Sequence, residues 1–431
     1  MAALLPTALH RFGSKMEIER YRFDNGLTLL CLADASAPVV CYQTWLAVGS
    51  RHERPNKTGI AHLFEHLMFN ETEDLPYGEF DRRLEASGAE SNAATFLDWT
   101  YYVDNLPKEA LPMVVEMEAS RLSRLVLREP QVESEREVVQ NERRQTVDDD
   151  VDGSVTERLY LEAFTRHGYR HPTIGFSEDI AGLSLEEIRA FYATYYAPNN
   201  ATLVVVGDVE PAALVELVGE RYGAMRAAEI PVEDVRPEPP QTAERRVRLP
   251  QPTDTARLAI GYRSPAMGDA DHAPLVLLNE ILFGGRGSRV HRALVQTQEI
   301  ASEVGGDVGT FRPPSLSDIH LTAHEGHEPA ELGEALDAVL AEVVAEPVSQ
   351  PELMRARARL ELGSLQGLET AAGKAEQIGF CELVLDDPSA LFSRLDDYEK
   401  VTRDDLLRVA RQYLTPDART VVEVLPEDED A

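Results

Sequence analysis

The sequence contains only three cysteines in 431 residues, Cys31, Cys41 and Cys381. They are widely spaced and stand in apolar surroundings, so they form neither the paired spacing of a cysteine zinc site nor a disulfide framework. Cysteine usage of this kind is typical of a reducing compartment. We therefore predict a cytoplasmic location.

Long apolar runs and basic residues are also scarce. No stretch approaches the roughly 20 apolar residues that a helix needs to cross a bilayer. The chain has 42 Lys and Arg against 75 Asp and Glu, which gives a formal net charge of −33. This balance argues against nucleic acid and against a membrane surface as partners. The acidic excess favours cationic peptides if it lines a chamber, and the alternative is an acidic surface that serves solubility.

Residues 1–15 lack the features of a secretory signal, because they contain no continuous apolar segment and no small-residue cleavage site. They contain no acidic residue and carry Arg11 and Lys15, as some organelle-targeting peptides do. We predict that they form a disordered leader.

Histidine is scarce as well, with 11 residues, yet two of them fall in the pentapeptide His-Leu-Phe-Glu-His at residues 62–66. The apolar residues within and after it predict a buried helix. Positions four apart lie on one helix face, so His62 and His66 can bind one metal ion. Glu65 lies beside the second histidine and can reach a metal-bound water without ligating the metal.

This pentapeptide matches the inverted zincin motif H-x-x-E-H, in which zinc lowers the pKa of a water molecule and the glutamate takes its proton. The alternative interpretation is a pair of core histidines with a chance glutamate between them.

A catalytic zinc site uses three protein ligands and keeps one position open, so a third ligand must come from elsewhere. Residues 129–142 carry a proline at their second position, which suits a helix N-terminus. On that helix Val132, Glu135, Val139 and Glu142 share one face. Two carboxylates on an otherwise apolar face are unfavourable unless a cation meets them, as a metal ion would. The alternative is an exposed, charged helix.

These segments resemble the pitrilysin family of zinc metallopeptidases, in the branch that contains mitochondrial processing peptidase and its bacterial relatives. That family carries H-x-x-E-H and, further along, a ligand glutamate within E-R-x-V-V-x-x-E. The resemblance implies one Zn²⁺ per chain, bound by His62, His66 and Glu142. It also implies that Glu65 is the general base and that Glu135, two turns before the ligand, supports the metal ligands.

Other segments look like landmarks of the family in the family's order, and the resemblance extends over nearly the whole chain from about Met16. They are residues 25–27 (Asn-Gly-Leu), 48–53 (Val-Gly-Ser-Arg-His-Glu), 88–95 (Gly-Ala-Glu-Ser-Asn-Ala-Ala-Thr) and 205–208 (Val-Val-Gly-Asp).

Residues 88–102 alternate small and polar side chains, which predicts a strand. In the family, the backbone at the positions that match Asn92, Ala93 and Ala94 forms an exposed edge, to which substrate adds as an extra strand. The resemblance therefore implies that these residues bind a peptide substrate. The alternative is a strand that is paired internally and has no substrate role.

The chain contains an internal repeat. Residues 183–188 match residues 401–406 in character, and at the same offset a tyrosine, a proline, a threonine and a valine recur. Between the copies lies a proline-rich stretch. We predict an α+β protein of two homologous domains, each a mostly antiparallel mixed sheet packed with helices, and the resemblance implies half of a clam-shell chamber. The predicted divisions are a catalytic domain at 16–229, a linker at 230–250, a metal-free domain at 251–425 and an acidic tail at 426–431.

The second copy lacks the chemistry of the first. Its counterpart of the zinc helix, residues 276–283, has Val276 and Asn279 in place of the first histidine and the glutamate. Relatives that complete an active site carry an arginine and a tyrosine seven residues apart in this domain, where this chain has Val295 and Ser302. These residues cannot grip a substrate carbonyl, so we predict a homologous partner subunit in a heterodimer, with a homodimer as the alternative.

Together these features predict the zinc-bearing subunit of an endopeptidase that hydrolyses unstructured peptides or targeting peptides. Two alternatives remain within the same fold. One is a structural subunit that serves the assembly of a complex, and the other is a module that binds peptides without cutting them.

Overall fold

The computed structural model describes residues 4–12, 16–232 and 237–426. The chain folds into two compact units, and each unit draws on both halves of the sequence. The first takes its described residues from the stretches 1–142, 171–235 and 366–392, and the second from 143–170, 236–365 and 393–431. The predicted domain boundaries at residues 229 and 251 stay a prediction.

Runs of strands and runs of helices follow one another along the described chain. The strands are β1 (Ala8–Phe12), β2 (Met16–Arg22), β3 (Thr28–Ala33), β4 (Val39–Leu46), β5 (Glu90–Thr95), β6 (Thr100–Pro107), β7 (Ala201–Gly207), β8 (Arg245–Gln251), β9 (Arg257–Arg263), β10 (Ala301–Val308), β11 (Leu316–Ala323) and β12 (Arg419–Pro426). The α-helices are α1 (Ile60–Leu67), α2 (Glu79–Ser87), α3 (Leu111–Arg124), α4 (Glu129–Arg143), α5 (Val151–Ala163), α6 (Ser177–Ala181), α7 (Leu185–Tyr195), α8 (Pro211–Tyr222), α9 (His272–Phe283), α10 (Pro329–Ala345), α11 (Gln350–Gln366), α12 (Ala371–Leu385), α13 (Ala390–Lys400) and α14 (Arg403–Tyr413).

The first unit is built on a seven-stranded sheet with the order β1-β2-β3-β7-β4-β6-β5. β3 and β7 run parallel, and the other neighbours run antiparallel. The valine-rich β7 is buried along its whole length, as expected for a strand covered on both faces. β5, which contains the predicted substrate edge, is the last strand of the sheet.

Helices cover both faces of this sheet. Thr44 of β4 donates a hydrogen bond to Glu118 of α3, whereas the next residue, Trp45, packs against α12 on the opposite face. Gly379 of α12 lies so close to the Trp45 indole that a Cβ there would come within 2.3 Å of its Nε1. On the α3 face, the Tyr102 hydroxyl donates to the backbone oxygen of Phe64 and so ties α1 to β6.

The second unit is built on a five-stranded sheet with the order β10-β11-β9-β12-β8. β12 and β8 run parallel, and the other neighbours run antiparallel. Ile260 of β9 belongs to a buried core with Leu278 of α9 and Leu336 of α10. The next residue, Gly261, faces Leu159 of α5, so helices cover both faces here too.

The repeat predicted from the sequence has a structural counterpart in each unit. Ser184 and Glu187 form a capping box at the start of α7, and Thr402 and Asp405 form the same box at the start of α14. Each helix is followed by a proline-led turn and then by a buried strand, β7 or β12. The predicted class of two α+β domains with mostly antiparallel mixed sheets is confirmed.

Residues 1–15 were expected to be disordered, and this is wrong for Ala8–Phe12, which forms β1 antiparallel to β2. Thr7 adds a hydrogen bond from its backbone N–H to the oxygen of Arg20. The pairing partner lies outside the leader, so the leader's own composition gives no sign of it. Residues 1–3 and 13–15 of the predicted leader lie outside the described residues. So do residues 427–431 of the predicted acidic tail.

Two further features concern the cysteines and the apolar character of the helices. All three cysteines are buried, and none of them forms a disulfide bond. Among the helices of the described residues, none combines the length and the apolar character needed to cross a bilayer.

Candidate metal centre

Helix α1 presents the two histidines of the pentapeptide. Gly59 precedes the helix with a φ of 86°, which glycine adopts without strain, and a Cβ there would lie 2.6 Å from the oxygen of Ile174. The apolar residues of α1 are buried in the first unit. His62 and His66 follow each other at one helical turn, with ring centroids 4.9 Å apart.

Helix α4 brings Glu142 to both histidines. Its Oε1 lies 3.6 Å from Nε2 of His62, and its Oε2 lies 3.2 Å from Nε2 of His66. One ligand atom from each of the three side chains lies within 4.8 Å of the others. In the described part of the chain, no second group of three His, Cys, Asp or Glu side chains meets in this way.

These three side chains fit a zinc ion. Ligands at the roughly 2.0–2.2 Å of zinc–nitrogen and zinc–oxygen bonds stand about 3.3–3.6 Å apart in a tetrahedron, and both nitrogen–oxygen separations are close to that value. Two imidazoles and one carboxylate also leave a position for water. Burial lowers the pKa of His62 to about 4, so its ring is neutral, which is the form that binds a metal.

His66 and Glu142 form an ion pair. Burial by itself would lower the pKa of His66, but the hydrogen bond with Glu142 and the charges of Glu142, Glu65 and Glu135 raise it. The same hydrogen bond lowers the pKa of Glu142, against the effect of its partial burial. A metal ion would take the place of the proton on His66, so metal affinity should fall in acid.

Glu65 lies next to this cluster and is not part of it. The Thr95 hydroxyl, at the end of β5, donates a hydrogen bond of 2.6 Å to Oε2 of Glu65. Burial raises the pKa of Glu65, and the hydrogen bond from Thr95 lowers it. Sequence reasoning missed this role of Thr95. The only signal was its place at the end of the segment that predicts the substrate strand.

Glu135 lies two turns before Glu142 on α4 and faces the other nitrogen of the second histidine. Its Oε2 is 3.8 Å from Nδ1 of His66, and its Oε1 accepts a hydrogen bond of 3.0 Å from Asn70. The Asn70 amide also lies 3.5 Å from the backbone oxygen of His66. Asn70 was not identified from the sequence, because it follows the motif in a segment without a recognisable pattern.

Asn92, Ala93 and Ala94 lie in the middle of the edge strand β5. Within the described residues β5 pairs with β6 alone and so lies at the edge of the sheet, and its role in substrate binding stays a prediction. Asn92 stands opposite Val103 in the register, and Ala93 stands opposite Tyr102. The sheet and α1 thus bring a strand edge next to the metal cluster through the contact between Thr95 and Glu65.

The second unit contains a helix, α9, that corresponds to α1 but lacks its two histidines and its glutamate. In α9, Asn279 stands at the position of Glu65 and donates a hydrogen bond of 2.6 Å to the oxygen of Gly306. Val295 lies in the helical turn His291–Thr297, and the Ser302 hydroxyl, at the start of β10, bonds to backbone oxygens of β11.

In comparisons with known proteins, two family models match successive parts of the chain. Residues 29–176 match the family described as insulinase (peptidase family M16), and residues 182–360 match the family described as the peptidase M16 inactive domain. The zinc protease PqqE of Helicobacter pylori is 28% identical over 433 residues, which cover 98% of this chain and 96% of that protein.

Two further relatives extend the comparison. The crystal structure of a protease from Helicobacter pylori superposes with a TM-score of 0.91 at 28% identity and covers 95% of this chain and 99% of that one. The mitochondrial-processing peptidase subunit beta of Blastocladiella emersonii is 23% identical over 94% of this chain and 88% of that protein. The predicted resemblance is confirmed: the chain belongs to peptidase family M16, the insulinase and pitrilysin family.

Proposed function

We propose that the chain is the zinc-bearing subunit of an endopeptidase that hydrolyses unstructured peptides or targeting peptides. The observation that carries this proposal is the convergence of His62, His66 and Glu142, with Glu65 held beside them by Thr95. Three ligands and a separate glutamate are the set of groups that metal-assisted hydrolysis needs. The relative from Helicobacter pylori is named a zinc protease, which supports the same function.

His62, His66 and Glu142 would hold one Zn²⁺ per chain. Bound there, zinc would lower the pKa of a water molecule and polarise the scissile carbonyl group. Glu135 would fix the orientation of His66 from its Nδ1 side, and Asn70 would in turn fix Glu135. Such supporting partners set the orientation of a ligand ring and raise its basicity.

Glu65 would move the proton. Its carboxylate would accept a proton from the attacking water and then donate it to the nitrogen of the leaving amine. Burial raises the pKa of Glu65, which makes its carboxylate a stronger base than an exposed glutamate. The hydrogen bond from Thr95 to Oε2 would hold the side chain in place during both transfers.

Peptide would bind as an added strand along β5, at Asn92, Ala93 and Ala94. An edge strand binds an extended peptide through main-chain hydrogen bonds, and this tolerates many substrate sequences. Because β5 ends at Thr95, a peptide on this edge would run directly toward Glu65.

A partner chain would complete the site. Val295 and Ser302 cannot supply a charged or phenolic donor to a peptide carbonyl, and one missing oxyanion donor typically costs about 10²–10³-fold in rate. A homologous subunit with its own arginine and tyrosine would supply these donors in a heterodimer, and a homodimer is the alternative arrangement. The similarity to a processing-peptidase subunit supports a paired enzyme.

Metal analysis and peptide cleavage by three variants test the proposal. Glu142→Ala should lose zinc, whereas Glu65→Gln should keep zinc and lose about 10²–10⁴-fold in rate. Glu137→Gln on the exposed face of α4 is the matched control and should change neither property. Cleavage of a quenched, unstructured peptide is measured with and without a chelator.

The outcomes separate the alternatives. Zinc loss in Glu65→Gln with zinc retention in Glu142→Ala would show that the roles are wrongly assigned. Metal binding and peptide binding without cleavage, even with a partner chain, would favour the peptide-binding module. A chain that binds neither metal nor peptide would favour the structural subunit.

A further inference from the structure

The N-terminus of α1 is satisfied by a buried carboxylate, that of Glu53. Its Oε2 accepts the backbone N–H of Gly59 and its Oε1 accepts that of Ala61, each at 2.9 Å. Glu53 is 7% exposed. The first N–H groups of a helix have no acceptor within the helix, so a side chain that accepts two of them fixes where the helix begins. His62 is the next residue after Ala61.

The residues just before Glu53 contact the loop that follows β5, the strand predicted to bind substrate. The Arg51 N–H donates to the oxygen of Leu97 at 3.0 Å, and the Arg51 guanidinium contacts the Asp98 carboxylate at 2.7 Å. Both charged side chains are almost completely buried. Gly49 lies so close to the same loop that a Cβ there would come within 2.3 Å of the oxygen of Phe96.

We propose that Glu53 is a positioning residue for the metal centre. Residues 49–53 are called the 49–53 segment. Through its contacts with residues 96–98 and with the start of α1, this segment connects the end of β5 to α1. Glu53 is the point at which this segment holds the helix, and it sets where His62 stands and where Glu65 meets Thr95. The inference rests on the proposed function and adds to it a residue that touches neither metal nor substrate.

Glu53 holds the start of α1 through the positions of its two acceptor atoms and not through a charge. In Glu53→Gln, the amide nitrogen replaces one oxygen and faces a backbone N–H, so one of the two hydrogen bonds is lost. The start of α1 is then free to shift, and the ligand nitrogen of His62 shifts with it. A cap that merely stabilised the fold would lower the melting temperature and leave the metal site unchanged.

A matched control separates these two roles. Asp405 accepts hydrogen bonds from the backbone N–H and the hydroxyl of Thr402 at the start of α14, in the second unit. Asp405→Ala removes both of these hydrogen bonds from the start of a helix that holds no metal ligand. Both variants should lower the melting temperature.

The measurements are the zinc dissociation constant, from competition with a chelator, and the visible spectrum of the Co²⁺-substituted chain. We expect the zinc dissociation constant of Glu53→Gln to rise by about 10-fold or more, as for residues that orient metal ligands. We expect its Co²⁺ spectrum to change as well. Asp405→Ala should match the wild-type chain in both.

Wild-type zinc affinity and an unchanged Co²⁺ spectrum in Glu53→Gln would overturn this inference alone. If that variant does not fold, Glu53→Asp carries the test, because the shorter side chain withdraws the oxygens by one methylene. Unchanged zinc affinity in Glu53→Asp would then overturn the inference. A wild-type chain that binds no metal would overturn the proposed function and this inference with it.

Discussion

Replacing Thr95 with valine removes one hydrogen bond from the proposed general base and leaves the shape of the side chain almost unchanged. The Thr95 hydroxyl lies 2.6 Å from Oε2 of Glu65. A hydrogen bond to a charged group contributes about 1.5–3 kcal/mol. If the reaction needs the whole of that contribution, the rate should fall by about 10- to 150-fold.

The expected result for Thr95→Val is a lower kcat with one zinc per chain, because Thr95 contacts the base and none of the ligands. The hydrogen bond from Thr95 lowers the pKa of Glu65, so its loss should raise that pKa. Glu65 acts as a base only when ionised. The activity therefore falls as pH falls through its pKa, and in the variant this fall should begin at a higher pH.

The assay is the pH dependence of kcat on an unstructured peptide, measured in the presence of the completing partner chain. Thr95→Ser keeps the hydroxyl group and should restore the wild-type rate and pH profile. A Thr95→Val chain with wild-type kcat and pH profile would refute the idea that Thr95 holds the base. Loss of zinc from that variant would show that Thr95 acts on the ligands instead.

Three further predictions concern other parts of the chain. Glu135→Gln should weaken zinc binding or lower activity by roughly 10–100-fold without unfolding the protein; unchanged values in both assays would place Glu135 outside the site. Burial raises the pKa of Asp318 to about 7, so the folded state binds this proton more tightly than the unfolded state, and stability is lost as pH rises from about 4 through 7. Asp318→Asn, which keeps an acceptor for the Tyr160 hydroxyl, should raise the melting temperature at pH 8 and flatten its pH dependence; an unchanged pH profile would contradict this. The chain alone should cleave peptide about 10²–10³-fold more slowly than with a homologous partner that carries the arginine and tyrosine; full activity of the chain alone would refute the need for a partner.

Periodicity and turn residues predicted several of the helices and strands, because those signals are local. The pentapeptide predicts α1, the proline and apolar face predict α4, and the repeat predicts the helix–turn–strand pairs that end at β7 and β12. Local signals could not predict that each unit combines stretches that are far apart in the sequence. Helix α5 belongs to the second unit and α12 to the first, and only long-range packing decides that.

The sequence predicted those residues of the candidate site whose type is specific for metal binding. His62, His66 and Glu142 were identified from spacing and from the family resemblance, and the structure brings them together. Thr95 and Asn70 were not identified. Their roles depend on contacts across 30 and 65 residues of sequence, and neither residue type is specific for those roles.

The second unit shows how the same arrangement of helices is stabilised without a metal. α9 and α11 have the same places in the order of elements as α1 and α4, and Glu280 of α9 stands where α1 has its second histidine. Glu280 forms an ion pair with Arg359 of α11, and Asn279 bonds to the oxygen of Gly306. The polar side chains of α9 therefore have protein partners.

A partly buried polar group is stable only if something of complementary charge or hydrogen-bonding character meets it. In the second unit an arginine meets the carboxylate, whereas in the first unit two imidazoles and a carboxylate face one another and a cation would satisfy all three. This difference predicts which substitutions would be needed to build a metal site in the second unit. Histidines at positions 276 and 280 alone would leave Arg359 facing the new site, and its charge would repel a metal ion. A metal centre in the second unit would require the replacement of Arg359 as well.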